Sequence, residues 1–166
     1  MTHAAKTDPA SPNHDSRTAA RLAAVQALYQ SLLTGASADA VIAEFENYRR
    51  IGEEESCPLE GADVALFIDI VRGAWARKDE IESRLAPILT HDWPLERLET
   101  PLRAVLWAGA YELLARPDIP LEVVINEYVD AAHAFFAGKE PAMVNAVLDR
   151  LGREVRRGGA AESGSR

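Results

Sequence analysis

A single cysteine, four scattered histidines and no apolar run of the eighteen or so residues a membrane span requires remove several classes of protein at once. Cys57 has no internal disulfide partner. With His3, His14, His91 and His133 it builds no zinc pattern, so neither a disulfide framework nor a metal site is expected. Met1 to Asp15 has no hydrophobic centre that a signal peptide needs, which points to a cytoplasmic chain without membrane attachment. Also missing are a glycine-rich phosphate loop, a His-Glu-x-x-His string and a nucleophile beside a histidine, so no catalytic residue and no cofactor is expected. Glu127 and Asp130, one helical turn apart, imitate an acid/base pair, but solvated or capping carboxylates are the commoner arrangement. Period-two alternation is absent throughout, and with it any sign of a sheet.

What remains is 166 residues, 48% of them hydrophobic, enough to bury one domain's core. A net charge of −8 argues against general nucleic-acid affinity, yet six of those eight units fall within residues 37 to 65. The segments before and after are left able to present basic side chains to a phosphate backbone.

The apolar spacing reads as about seven helices. Residues 1–15 are taken as a disordered arm, 16–157 as the helical domain and 158–166 as a disordered tail. A helix capped by Ser16 carries Leu22, Val25, Leu28, Tyr29, Leu32 and Leu33 and stops at Gly35. Ser37 opens a second, ending near Gly52. A long third helix runs from about Gly61 to Ala86, and Trp93-Pro94 starts a short one through Leu98. Thr100-Pro101 starts a fifth, on whose apolar face Gly109 suggests a close crossing. Pro120 and Pro141 start the last two.

Asn126 and Asn145 interrupt what would otherwise be all-hydrocarbon helical faces, in Val124-Ile125-Asn126-Glu127 and Met143-Val144-Asn145-Ala146-Val147. A buried amide is costly without hydrogen-bond partners, so both, with Glu127, are expected to be structural polar groups fixing helix register; direct contact with RNA is the other reading of the two amides. Arg17 and Arg21, one turn apart at a helix start, can turn outward and follow a phosphate backbone together or be ordinary solvated charge, and the two residues by themselves leave both readings open. Arg150, Arg153, Arg156 and Arg157 form a ridge read as structural or accessory.

In order and spacing, the helix Arg17 to Gln30, then Tyr111-Glu112-Leu113, Asp118-Ile119-Pro120, Val124-Ile125-Asn126-Glu127 and Val144-Asn145-Ala146-Val147-Leu148-Asp149, resemble the transcription antitermination factor NusB family over about residues 16 to 156. The resemblance implies an all-α fold of two small helical bundles without catalytic activity. It also implies binding to boxA-type leader RNA of ribosomal RNA operons, together with the ribosomal protein NusE, in the transcription elongation complex. Carried onto this sequence, RNA binding falls on Arg17, Arg21, Lys139 and Met143, and partner binding on Tyr29, Leu33, Glu96, Glu99, Leu102 and Arg103.

Three departures from the family pattern bear on that expectation. The arm offers only Lys6 where relatives are arginine-rich, so about two to four phosphate contacts and a shallow salt dependence are expected. Met143 stands where an aromatic is common, a poorer stacking platform. Leu102 and Trp107 replace charged residues, which suggests a more apolar surface toward NusE or a second subunit; Lys139 lies in a loop that is often acidic. The alternatives are a NusB-like homodimeric interaction module with weak or lost RNA binding, and the domain preceding an RNA cytosine methyltransferase, against which length argues.

Overall fold

Gly35, with φ of 75°, ends the first helix, and two residues later the Ser37 hydroxyl accepts a hydrogen bond from Ala40 N at 3.2 Å to begin the second. The same local chemistry punctuates the rest of the computed structural model, which describes residues 14–51 and 59–164. Its helices are α1 (His14–Thr34), α2 (Ala38–Ile51), α3 (Val64–Ala76), α4 (Lys78–Leu85), α5 (Thr100–Ala115), α6 (Leu121–Phe135) and α7 (Glu140–Gly164), with a 3-10 turn at Leu95–Arg97. No strand occurs among the described residues. Asp63 caps α3, its side chain accepting from Leu66 N at 3.1 Å.

Helix α5 is the hub. Its run Leu102, Ala104 to Leu113 is buried almost throughout, and it touches α1 and α3 on one side and α4, α6 and α7 on the other. α1, α2 and α3 thus form one bundle and α4 to α7 a second, joined mainly through α5 and also by α1 against α6 and α3 against α4. Gly109 marks the close crossing its position suggested: a Cβ there would lie 2.7 Å from Leu148 Cδ1 and 3.3 Å from the Tyr128 ring.

Several sequence expectations are corrected. The single long helix after Gly61 is two helices, broken at Arg77 (φ −104°, ψ 16°), because α3 buries its face against α1, α2 and α5 while α4 turns to α5 and α7. Helix α1 begins at His14, inside the expected arm, and α7 continues to Gly164, past the residue-157 limit drawn for the domain. The rest of the arm and Gly52 to Pro58 lie outside the described residues. Asn126 and Asn145 are not buried: α6 turns Val124, Ile125, Tyr128 and Ala132 inward and α7 turns Val144, Val147, Leu148 and Leu151 inward, which puts both amides in solvent. Leu102 and Trp107 are not surface groups either, being 1% and 3% exposed in the core.

Candidate nucleic-acid interface

Glu112 is the only charged residue between Arg103 and Arg116, and burial on the hub helix leaves its carboxylate no access to water. Such a group must be matched within the protein. Arg21 matches it: Nε and Nη2 each donate to one carboxylate oxygen at 2.9 Å, a two-point pair, and the Tyr128 hydroxyl donates to the same carboxylate. Arg21 Nη1 also lies 3.5 Å from Glu127, which is buried in turn and accepts from the Thr18 hydroxyl at 2.9 Å and 3.1 Å. His14 Nε2 approaches the same carboxylate at 3.5 Å.

The arrangement fixes the electrostatics. Desolvation works against the Arg21 charge, but the hydrogen bonds and field of Glu112, with Tyr128 and Glu127, outweigh it and raise its affinity for the proton. Burial, then the neighbouring Glu112 carboxylate, pushes the Tyr128 phenol well above its ordinary value. Arg21 is therefore a buried tie between α1, α5 and α6, and the expectation that it faces RNA is corrected. The physical reason is that two buried carboxylates, Glu112 and Glu127, converge on one guanidinium.

Arg17, a turn earlier, is exposed. It stands at a cleft of about 550 Å³ with His14, Asp63, Arg116 and Asp118, where the start of α1 meets the α5–α6 turn. Arg116 ties that turn to α3, its Nη1 lying 3.1 Å from Asp69 of α3 and its Nε 3.4 Å from Asp118 of the turn. The Arg116 hydrogen bond, with the nearby charge of Arg17, holds the Asp118 carboxyl below the usual carboxylate range. From α7, Arg156 Nη2 donates to the Ile119 carbonyl at 2.6 Å, satisfying backbone beyond the end of α5, so this member of the basic ridge is structural.

The other expected RNA residues lie elsewhere. Lys139 is exposed just before α7, whereas Met143 is 8% exposed and forms the floor of a groove. Of the expected partner-binding residues, Tyr29 is half-buried against the core and Leu33 is 58% exposed in the last turn of α1. Glu96 and Glu99 are exposed. Arg103 is half-buried and ion-paired with Glu82, which also accepts from Trp107 Nε1, while Leu102 is withdrawn into the core and unavailable to a partner. Glu112, Tyr128, Thr18 and Arg116 were missed by the sequence reading. A lone acid in twelve otherwise uncharged residues of α5 was the available signal for Glu112.

Among the described residues no group of three His, Cys, Asp or Glu side chains is placed to hold a metal ion, and no helix is long and apolar enough to cross a membrane. A sequence model of the NusB family matches residues 18–153. The transcription antitermination protein NusB of Bradyrhizobium sp. (strain ORS 278) is 51% identical over 140 residues, 84% of this chain and 83% of its own. That of Sphingopyxis alaskensis is 46% identical over 142 residues, 86% of this chain and 95% of its own. In solved structures, T. maritima NusB superimposes with a TM-score of 0.61 at 28% identity, covering 87% of this chain and 92% of that one. The antitermination factors NusB and NusE in complex with dsRNA give a TM-score of 0.68 over 86% and 99% of the two chains, at 22% identity that speaks to the fold alone. Matched along most of its length by the family's sequence model and by these relatives, with a helical scaffold of the same shape, this chain belongs to the NusB family.

Proposed function

We propose that the protein is a cytoplasmic transcription antitermination factor that binds boxA-type leader RNA of ribosomal RNA operons together with NusE and supports processive transcription within the elongation complex. It acts by positioning RNA and protein, not by catalysis. The observation that carries this reading is close similarity, over nearly the whole domain, to relatives named transcription antitermination protein NusB. The site chemistry supports it: Arg17 stands exposed at the mouth of the α1 cleft and Lys139 stands exposed before α7, while the buried Arg21 network holds α1 against α5 and α6. With Arg21 committed to Glu112, few cations remain to meet phosphate, so NusE supplies much of the positive surface and the salt dependence of the complex is shallow. Leu33, with Glu96 and Glu99, forms the surface proposed for the protein partner.

Electrophoretic mobility of boxA RNA with this protein, alone and with NusE, tests the reading. A shift that strengthens with NusE is expected. Unshifted RNA at low salt with both proteins present overturns it and favours a homodimeric interaction module.

A further inference from the structure

The turn between α5 and α6 closes on itself, Ile119 N donating to the Arg116 carbonyl at 3.1 Å, and its Arg116, Asp118, Ile119 and Pro120 line the cleft that Arg17 borders. Its place is set from two sides. Arg116 ties it to Asp69 of α3 at 3.1 Å, and from α7 the Arg156 Nη2 reaches the carbonyls at both ends of the turn, 2.6 Å from Ile119 O and 3.4 Å from Arg116 O. Gly152, one helical turn earlier on α7, makes that reach possible. A Cβ there would lie 2.2 Å from Leu121 Cδ1 and 3.2 Å from Leu113 Cδ2, so a bare backbone lets α7 approach the end of α5 and the start of α6. The neighbouring arginines of the ridge are spent differently: Arg150 and Arg153 are exposed and pair with Glu154 and Asp149 of their own helix at 3.3 Å and 3.0 Å. Arg156 is half-buried, pairs with no carboxylate among the described residues, and gives its charge to main-chain oxygen, a bond of the stronger, charge-assisted kind. Among the described residues none of α7 lines the cleft.

We propose that Arg156 is a positioning residue for RNA binding, which clamps both ends of the α5–α6 turn and so fixes the wall of the cleft at which Arg17 meets phosphate. The proposal rests on the RNA-binding reading above and adds to it a residue of the last helix that RNA does not touch. The turn carries both Arg116 and Asp118, so its placement sets how the charges of the cleft stand relative to Arg17. A turn held on one side only, by Arg116 and Asp69, would leave that spacing loose.

Hydrogen exchange and RNA affinity of the full chain test it, using Arg156→Met, which keeps the stem alone, and Arg156→Lys, which keeps the charge without the planar group that spans two carbonyls. Both are measured where urea unfolding shows them folded, and Arg156→Lys carries the test if Arg156→Met does not fold. The Ile119 amide is expected to exchange about tenfold faster in each variant, the scale of a lost charge-assisted hydrogen bond. Fluorescence anisotropy of labelled single-stranded boxA RNA with NusE should show about fivefold weaker binding. In an Arg17→Gln background the same changes should cost less than about twofold, because the contact that the turn serves is already gone. Equal losses in both backgrounds, or a loss in Arg156→Met that Arg156→Lys escapes, would mean that Arg156 meets phosphate itself and would overturn the proposal. Unchanged exchange at Ile119 removes the clamp, and unchanged RNA affinity despite faster exchange removes its role in binding; either result sinks the proposal and leaves the RNA reading in place. If wild type with NusE binds no RNA at low salt, both fall.

Discussion

Arg21 and Glu112 meet through two hydrogen bonds of 2.9 Å in the interior, 91 residues apart in sequence, and tie the first helix to the hub of the fold. With Tyr128 and Glu127 on α6 they form a polar centre in an otherwise hydrocarbon core. Removing the cation strands two buried carboxylates, whereas an exposed arginine is lost almost without effect. Arg21→Met is therefore expected to lower unfolding free energy by about 3–5 kcal/mol, the usual consequence of breaking a buried pair. Urea unfolding monitored by circular dichroism checks this, and a loss below about 1 kcal/mol, the scale of a surface pair, would contradict it.

Arg17 should behave in the opposite way. Being exposed, it can be changed to Gln with little change in melting temperature, while the slope of log affinity against log salt for RNA becomes shallower by about one. A salt titration of RNA binding with wild type and Arg17→Gln decides it; identical slopes would remove Arg17 from the RNA contact.

Gly73 lies against the Tyr111 ring so closely that a Cβ would come within 2.1 Å of it. That ring is held in place by a hydrogen bond of 2.7 Å from its hydroxyl to Asp69. Gly73→Ala gains up to about 1 kcal/mol of helix propensity but forces the ring away, and overpacking at about 1–3 kcal/mol outweighs the gain. A net destabilisation is expected in thermal or urea unfolding, reduced when Tyr111→Leu is made in the same chain; a stabilised Gly73→Ala would be the contrary result.

Two tyrosines are expected to make stability fall at alkaline pH. Burial, then the hydrogen bond and charge of Asp69, pushes the Tyr111 phenol up to about 12, and Tyr128 is likewise raised. Between the ordinary value of 10.0 and about 12 the folded chain holds protons that the unfolded chain has released. This contribution to stability is complete below pH 10 and declines as pH rises through that window. Urea midpoints at successive pH values should fall more gently in Tyr111→Phe than in wild type; parallel profiles would show that the phenol is not responsible.

Asp63 caps α3 by accepting from Leu66 N at 3.1 Å, and Asp63→Ala is expected to cost about 1 kcal/mol in urea unfolding. An Asp63→Asn variant keeps the acceptor and should recover most of that loss.

The helices and their punctuation were readable without coordinates because their causes are local. Ser37 caps α2, Gly35 takes a positive φ and Pro101 occupies the first turn of α5, each through interactions within a few residues. The family resemblance was readable for the same reason, since it rests on ordered strings of side chains. What depends on how the helices rotate against one another was not. Asn126 and Asn145 look buried when counted along the chain, yet the inward stripes of α6 and α7 pass one position to the side of them. Leu102 and Trp107 look like surface anomalies, but the hub helix is covered on nearly every face, so both are core.

Arg17 and Arg21 show the division most clearly. By sequence they are equivalent cations one turn apart on the first helix. Only the assembled bundle brings Glu112 of α5 and Glu127 of α6 onto Arg21 and leaves Arg17 facing solvent, because the cost of a buried carboxylate is settled by whichever cation the fold places beside it.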